Sequence, residues 1–164
     1  MATGRSLADT IELVRRELDR VYTAPDNPFR LGNSLRVPAS SDEIAAAWSD
    51  VDVPDHVISF WTSAGSATLF ADLDDGQWGL ELFDPPTSRE RTEVERVRRP
   101  DDIVSGDVVV GAFLGDLELV VVDADGGVRI ALPLDPRSDW YRPASSFAGF
   151  LDRYVESTGH KFWE

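Results

Sequence analysis

The side chains with most to offer chemistry are carboxylates. Asp72, Asp74 and Asp75 crowd one segment, and acid–base hydrolysis requires paired carboxylates at a fixed separation. With 30 acidic residues in the chain, such neighbours arise from composition alone, and aspartates favour turns because they bond their own backbone. Leu73-Asp-Asp-Gly76 therefore reads as an acidic turn. Asp123, Asp125 and Gly127 echo the start of a calcium loop, but Val128 stands where a glycine is required and Leu134 where a bidentate glutamate belongs. That segment reads as a hairpin turn. Ser63-Ala-Gly-Ser66 lacks the Gly-x-Ser-x-Gly frame of a hydrolase nucleophile. His56 falls in a first helical turn, where a solvated or core-edge imidazole is expected, and His160 falls in a tail expected to fray. The chain has no cysteine, which removes disulfides, thiolate metal sites and cysteine nucleophiles; two histidines make a multi-histidine metal centre hard to assemble. No glycine-rich phosphate loop follows an expected strand. The sequence assigns no catalytic residue, no metal ligand and no cofactor.

Charge narrows the partners. The formal net charge is −14, from 30 acidic and 16 basic side chains. Gripping phosphate backbones or anionic lipid needs Lys and Arg to replace counterions, so neither nucleic acid nor a membrane is expected. A basic macromolecule would be attracted and steered in, although solubility alone accounts for the same charge. Arg89, Arg91, Arg96, Arg98 and Arg99 make a local basic stretch, but Glu90, Glu93 and Glu95 interleave with them, which reads as a solvated face with internal ion pairs. Lys161 is the only lysine, and the preference for arginine reads as codon bias. Trp48 and Trp61 fall on helix faces and read as core; Trp78 opens a strand, Trp140 sits in a loop and Trp163 lies near the end.

The elements that would position these side chains follow from periodicity. Leu7, Ile11, Val14, Leu18 and Val21 form one stripe of an amphipathic helix, after which Ala24 to Leu35 reads as loop because Pro25, Asn27, Pro28, Gly32 and Asn33 crowd it. A second helix starts at Ser40 or Ser41, with capping-box spacing from Ser40 to Glu43. Pro54 suits the first turn of a third, with Val57, Ile58, Phe60 and Trp61 on its apolar face and Gly65 placed to cap it. From Ser66 the period becomes two: a strand through Leu69 and Phe70, the acidic turn, then a paired strand with Trp78, Leu80 and Leu82 that Pro85-Pro86 stops. Thr87 to Arg99 reads as a short exposed helix or a loop. Val108 to Leu114 and Leu117 to Val122 form a hairpin through Gly115-Asp116, the second strand apolar enough to be buried on both faces. Val128, Ile130 and Leu132 make a further strand, and Phe147, Phe150, Leu151, Tyr154 and Val155 a closing helix capped by Ser145 or Ser146. The fold class is α+β: an antiparallel or mixed sheet of about five to six strands with helices packed against one face. Residues 1–35 are expected as an N-terminal helix and loop packed on a domain spanning 36–164. The N-terminus shows no signal peptide and no stretch spans a bilayer, so the expected location is the cytoplasm.

This layout resembles the SUKH superfamily of bacterial toxin-immunity proteins and a fungal cell-wall-assembly regulator. Pro38-Ala-Ser-Ser-Asp-Glu-Ile44 is similar to the family's opening helix start, and Pro54-Asp-His-Val-Ile-Ser-Phe-Trp61 through Gly65 to its next helix. Gly115-Asp-Leu-Glu-Leu-Val-Val-Val-Asp123 is similar to its most characteristic piece, a Gly-Asp pair opening an apolar strand that ends in Asp. Trp140 and Ser145-Ser-Phe-Ala-Gly-Phe-Leu151 repeat its close. The family's asparagine-glycine at the end of the third helix is Ala64-Gly65 here, and its glycine run is reduced to Gly115. The resemblance implies a SUKH-like sheet flanked by helices, no catalytic apparatus, and for many bacterial members the binding and neutralising of a toxin, often a nuclease.

The expected function is a non-catalytic protein-binding module, an immunity protein whose partner is a basic toxin domain. Asp72, Asp74, Asp75, Trp78, Glu81 and Asp84, the hairpin between the two first strands, are the expected contact residues. The alternatives are a housekeeping scaffold or regulator that binds a cellular protein, and a small-molecule binder or enzyme with a pocket lined by Trp61, Trp78 or Trp140.

Overall fold

The computed structural model describes residues 4–164. Met1 to Thr3, with which the expected leaderless N-terminus and the 1–35 segment begin, lie outside the described residues. Helix α1 spans Leu7–Arg16, capped by the Ser6 hydroxyl, and buries Leu7, Thr10, Ile11 and Val14. It is shorter than its apolar stripe. Leu18 packs at the core margin and Val21 is exposed.

Strands β1 (Tyr22–Ala24) and β2 (Asn27–Leu35) occupy the segment expected as loop. The residues that argue against a strand there make its irregularity possible. The β2–β3 ladder shifts register between Gly32 and Ser34, and the Asn33 side-chain carbonyl accepts the Phe70 N–H at 2.7 Å, replacing a ladder bond the bulge removes. Phe70 pays for this with a left-handed backbone, φ 49.

Helices α2 (Ser41–Trp48) and α3 (Asp55–Ser63) follow. Ser40 caps α2 by accepting the Glu43 N–H at 3.1 Å, as its spacing predicts. Pro54 stands at the N-cap of α3, just before its first helical residue. Gly65 is not the helix cap. It lies against the Val37 carbonyl, where a Cβ would approach to 2.4 Å. The sheet continues through β3 (Ala67–Asp72), β4 (Leu80–Leu82), β5 (Val108–Phe113), β6 (Leu119–Val122), β7 (Val128–Ala131) and β8 (Tyr141–Ala144). Among the described residues, eight antiparallel strands thus replace the expected five to six, in the order β1 to β8 with every strand beside its sequence neighbours. Strand β8 hides its signal because it holds Pro143, which an edge strand tolerates. Helix α5 (Phe147–Glu156) closes the fold, its N-cap Ser146 accepting the Gly149 N–H.

The core lies on both sides of the sheet. Side chains of α1, α2, α3 and α5 pack with Leu69, Leu80, Val108, Val110, Val120, Val122 and Ile130 on one face. On the reverse, Val109, Leu119, Val121 and Ala131 are roofed by Phe83, Ile103 and Trp140. Alternate residues of β6 enter opposite clusters, so the strand is buried on both faces as its apolar run predicts.

The longest helix, α4 (Pro85–Arg98), runs through the segment read as a short helix or loop. Pro85-Pro86 do end β4, but they also open α4, with Asp84 as N-cap accepting the Thr87 N–H at 2.8 Å. The helix has a structural task. Strand β4 is three residues long against six in β5, so past Phe83 no strand lies on the β4 side of Val109, whose other side pairs with β6. Ser88 Oγ donates to the Val109 carbonyl (2.7 Å) and Thr92 Oγ1 accepts the Val109 N–H (2.9 Å) while donating to the Ser88 carbonyl (2.8 Å). One helical turn separates the two hydroxyls, and both residues are fully buried. Thr92→Val should strand the Val109 N–H and cost about 1–3 kcal/mol, the penalty for a buried unpaired donor. A lower urea midpoint with an unchanged m-value, largely restored in Thr92→Ser, is the expected measurement.

Candidate functional site

A cleft of about 870 Å³ lies at the end of the sheet from which β3, β5 and β7 set out. Four separate connections supply it: residues 50–56 between α2 and α3, Ser105 and Gly106 before β5, residues 124–126 between β6 and β7, and Ser145 and Ser146 before α5.

Each wall is pinned by a carboxylate or a cap. Arg89 of α4 donates to Asp50 at 2.9 Å and lies over the Trp48 ring at 5.1 Å, which fixes the first wall. The guanidinium holds the Asp50 carboxyl below its usual range. In the second, the buried Asp107 carboxylate accepts the Val104 N–H at 2.9 Å and pairs with Arg137, whose second nitrogen lies 3.1 Å away. Gly106 has φ +90, and a Cβ there would come within 2.7 Å of Ala124, so only glycine lets the second wall meet the third. In the third, Asp123 accepts the N–H groups of Asp125 and Gly127 at 3.0 Å and binds Arg129 at 3.1 Å. This is the expected hairpin turn, its aspartate engaged with its own backbone. In the fourth, His56 Nδ1 accepts the Ala148 N–H at 3.3 Å, so an exposed imidazole joins α3 to the start of α5.

What these walls present is negative charge. Asp50, Asp52, Asp55 and Asp125 line the cleft and no Lys or Arg does. Asp52, Asp55 and Asp125 are exposed and without an ion-pair partner among the described residues. Among those residues no three His, Asp or Glu side chains are grouped to hold a metal ion. The arrangement suits a cationic segment.

Of the six residues expected as the contact surface, the β3–β4 turn brings together Asp72, Asp74, Asp75 and Trp78, whereas Glu81 and Asp84 lie apart from them. Asp72 is buried, and its carboxylate accepts the N–H groups of Asp74 (3.0 Å) and Gln77 (3.1 Å). Asp74 pairs with Arg30 at 2.8 Å, and Asp84 caps α4. Asp75 is exposed in the turn, whereas Glu81 is exposed on the sheet between Thr68 and Ala112. Trp78 is partly buried with Lys161 over its ring. Of the three tryptophans offered as alternatives for lining a pocket, Trp78 lines a cavity, whereas Trp61 and Trp140 are packed in the core. Trp61 is buried and donates to the Phe83 carbonyl at 2.9 Å, Trp140 roofs the reverse face, and Trp78 lines a separate cavity near the C-terminus. The tail expected to fray is docked, with Trp163 5.5 Å from both Phe113 and Phe150. Sequence reasoning missed Asp52, quoted Asp55 only as part of a helix start, and took Asp125 only as a turn residue. Only the topology unites them.

The charged stretch of α4 behaves as its pattern predicts, with Arg89 bonded to Glu93, Arg98 to Glu95 and Arg99 to Asp102. Arg99 reaches further, donating to the carbonyls of Leu132 and Asp135 at 3.0 and 2.8 Å. It lies over one ring, Trp140, that Arg137 also approaches.

Desolvation is the largest influence on Asp72 and pushes its pKa up. The backbone donors of Gln77, Asp74 and Asp75 together outweigh it and hold the carboxyl below its usual value. A folded value below the unfolded one gives stabilisation that is complete above the ordinary carboxylate range and disappears as pH falls through the folded value. Asp72→Asn should therefore be less stable than the parent at pH 7, with the gap in urea midpoint narrowing toward pH 3. An unchanged gap at both pH values would refute this account of the turn.

No helix of the described residues is long and apolar enough to cross a membrane. Set against known proteins, the chain matches no family model, and no curated protein matches it at a significant level.

Proposed function

We propose that this chain is a non-catalytic protein-binding module, an immunity protein of SUKH-like type that binds and neutralises a basic toxin domain, with a nuclease effector as the leading class. The observation that carries the reading is how charge is partitioned. Among the described residues, eleven of the sixteen cationic side chains are held in ion pairs with thirteen carboxylates, which leaves most of the 30 acids unopposed. The negative field is therefore an outward property of the surface, and the cleft concentrates it where no cation lines the walls. A nuclease surface that grips phosphates is cationic, so an acidic inhibitor associates quickly and covers the same groups.

The residues behind the resemblance mostly serve the fold. Ser40 and Ser146 cap helices, and Gly115 adopts φ +88 against the Gln77 carbonyl. The resemblance thus speaks for architecture, while the partner is read from charge.

A toxin-like protein should be encoded beside this chain; co-expressing the two should restore growth, and the purified pair should associate with a rate that falls about tenfold or more between low and high salt. Asp52→Asn/Asp55→Asn/Asp125→Asn should weaken binding about tenfold while leaving the melting temperature within a few degrees, since the three carboxylates are exposed. Growth arrest that persists in the presence of the folded chain, with no complex detected, defeats the reading. Protection that survives the triple substitution moves the contact away from the cleft.

A further inference from the structure

Every cation in this chain is arginine except one, and the exception is the most enclosed of them. Lys161 is 8% exposed, and its ammonium donates to Asp116 Oδ2 at 2.7 Å and Glu118 Oε1 at 2.9 Å. It also lies 4.9 Å from the centre of the Phe113 ring and 5.4 Å from that of Trp78. Two carboxylate acceptors and two π faces suit a compact ammonium, whereas a planar guanidinium carries five donors in a wide fork. Burial pulls the amine's pKa down, but the two carboxylates outweigh it and keep the amine charged.

The body of the fold builds this enclosure without help from the tail. Phe113 ends β5, and Asp116 and Glu118 sit on the β5–β6 turn, where Asp116 Oδ1 accepts the Glu118 N–H at 2.9 Å. Gly115 locks that turn against the β3–β4 turn: a Cβ there would lie 2.0 Å from the Gln77 carbonyl. The lysine, by contrast, arrives on a segment entered through two successive left-handed residues, Thr158 (φ 57) and Gly159 (φ 78). Beyond Gly159 the tail's backbone hydrogen bonds run only to residues within 157–164, so side chains alone hold it to the sheet. Beside it lies a cavity of about 310 Å³ lined by the β1–β2 turn, Trp78 and the tail. The Trp78 indole N–H is buried without a partner, a donor that a ligand carbonyl would satisfy.

We propose that Trp78, Phe113, Asp116 and Glu118 form a recognition site for the primary ammonium of a lysine side chain, which Lys161 fills in cis and for which a lysine-bearing segment of a partner protein competes. The site is distinct from the acidic cleft and stands whether or not the partner there is a toxin.

The test uses the full chain carrying Lys161→Ala, with Nα-acetyl-lysine N-methylamide as probe and its norleucine counterpart as control. Thermal melting and the tryptophan indole N–H resonances report occupancy. The lysine amide should raise the melting temperature of the variant and shift the Trp78 indole signal. The norleucine amide should do neither, and the parent chain should need at least about tenfold more probe for the same shift. Adding Glu118→Gln to the variant should weaken the response. If Lys161→Ala does not fold, Lys161→Met keeps the stem, and methylammonium chloride is compared with sodium chloride at equal ionic strength. A folded variant that ignores the amine, responds equally to the control, or responds no better than the parent overturns the proposal.

Discussion

Every strand of this sheet pairs with its neighbours in the chain, and that constraint sorts the molecule by its two ends. In an antiparallel meander, connections after odd-numbered strands fall at one end and those after even-numbered strands at the other. The even set carries α2, α3, α4 and the β6–β7 turn, and β8 leaves there toward α5. All four walls of the acidic cleft come from it. The odd set carries the β1–β2, β3–β4 and β5–β6 turns, and α5 runs back along the sheet to deliver Lys161 among them. The cleft and the lysine site therefore occupy opposite ends, so a partner engaged at one leaves the other open.

The same topology creates a defect whose repair positions the cleft. A three-residue β4 beside a six-residue β5 leaves a gap in the ladder, and α4 fills it with the hydroxyls of Ser88 and Thr92. With that register set, Arg89 of the same helix reaches Asp50 on the cleft wall. Arg99, just past its end, reaches the Leu132 and Asp135 carbonyls in the β7–β8 connection. Helix α4 thus ties three separate parts of the chain together, and its buried Ser88 and Thr92 are polar because they meet backbone rather than core.

That arrangement explains why the sequence was readable in some places and opaque in others. Elements that bury apolar side chains at regular spacing were legible: α3, α5, the β5–β6 hairpin and β7 follow their patterns, as do the caps Ser40 and Ser146. Helix α4 hid because it buries Ser88, Thr92 and Glu95, which leave no apolar stripe. Strand β2 hid because Gly32 and Asn33 read as breakers until Asn33 is seen to replace a ladder bond at the bulge. The site was harder still. Asp125 comes near Asp52 and Asp55 only after two separate connections converge, and no spacing in the chain records that. Lys161 did leave a trace, as the single lysine among arginines, although composition alone attributes it to codon usage.

A net charge of −14 can be read as solubility or as partner attraction, and the carboxylates divide into two groups by what they touch. Asp72, Asp84, Asp107 and Asp123 face backbone N–H groups and hold turns, a helix start and a loop in place. Their charge is consumed locally. Asp52, Asp55 and Asp125 form no such bonds among the described residues and stand in a concavity that excludes cations from its lining. Like charges gathered there repel one another and destabilise the fold slightly, a cost that scattering them over the surface would avoid while keeping the same solubility. Solubility depends on total charge and is indifferent to where a carboxylate sits; association with a cationic surface depends on where the charges converge. The convergence, more than the total, is the part of this acidity on which the proposed partner rests.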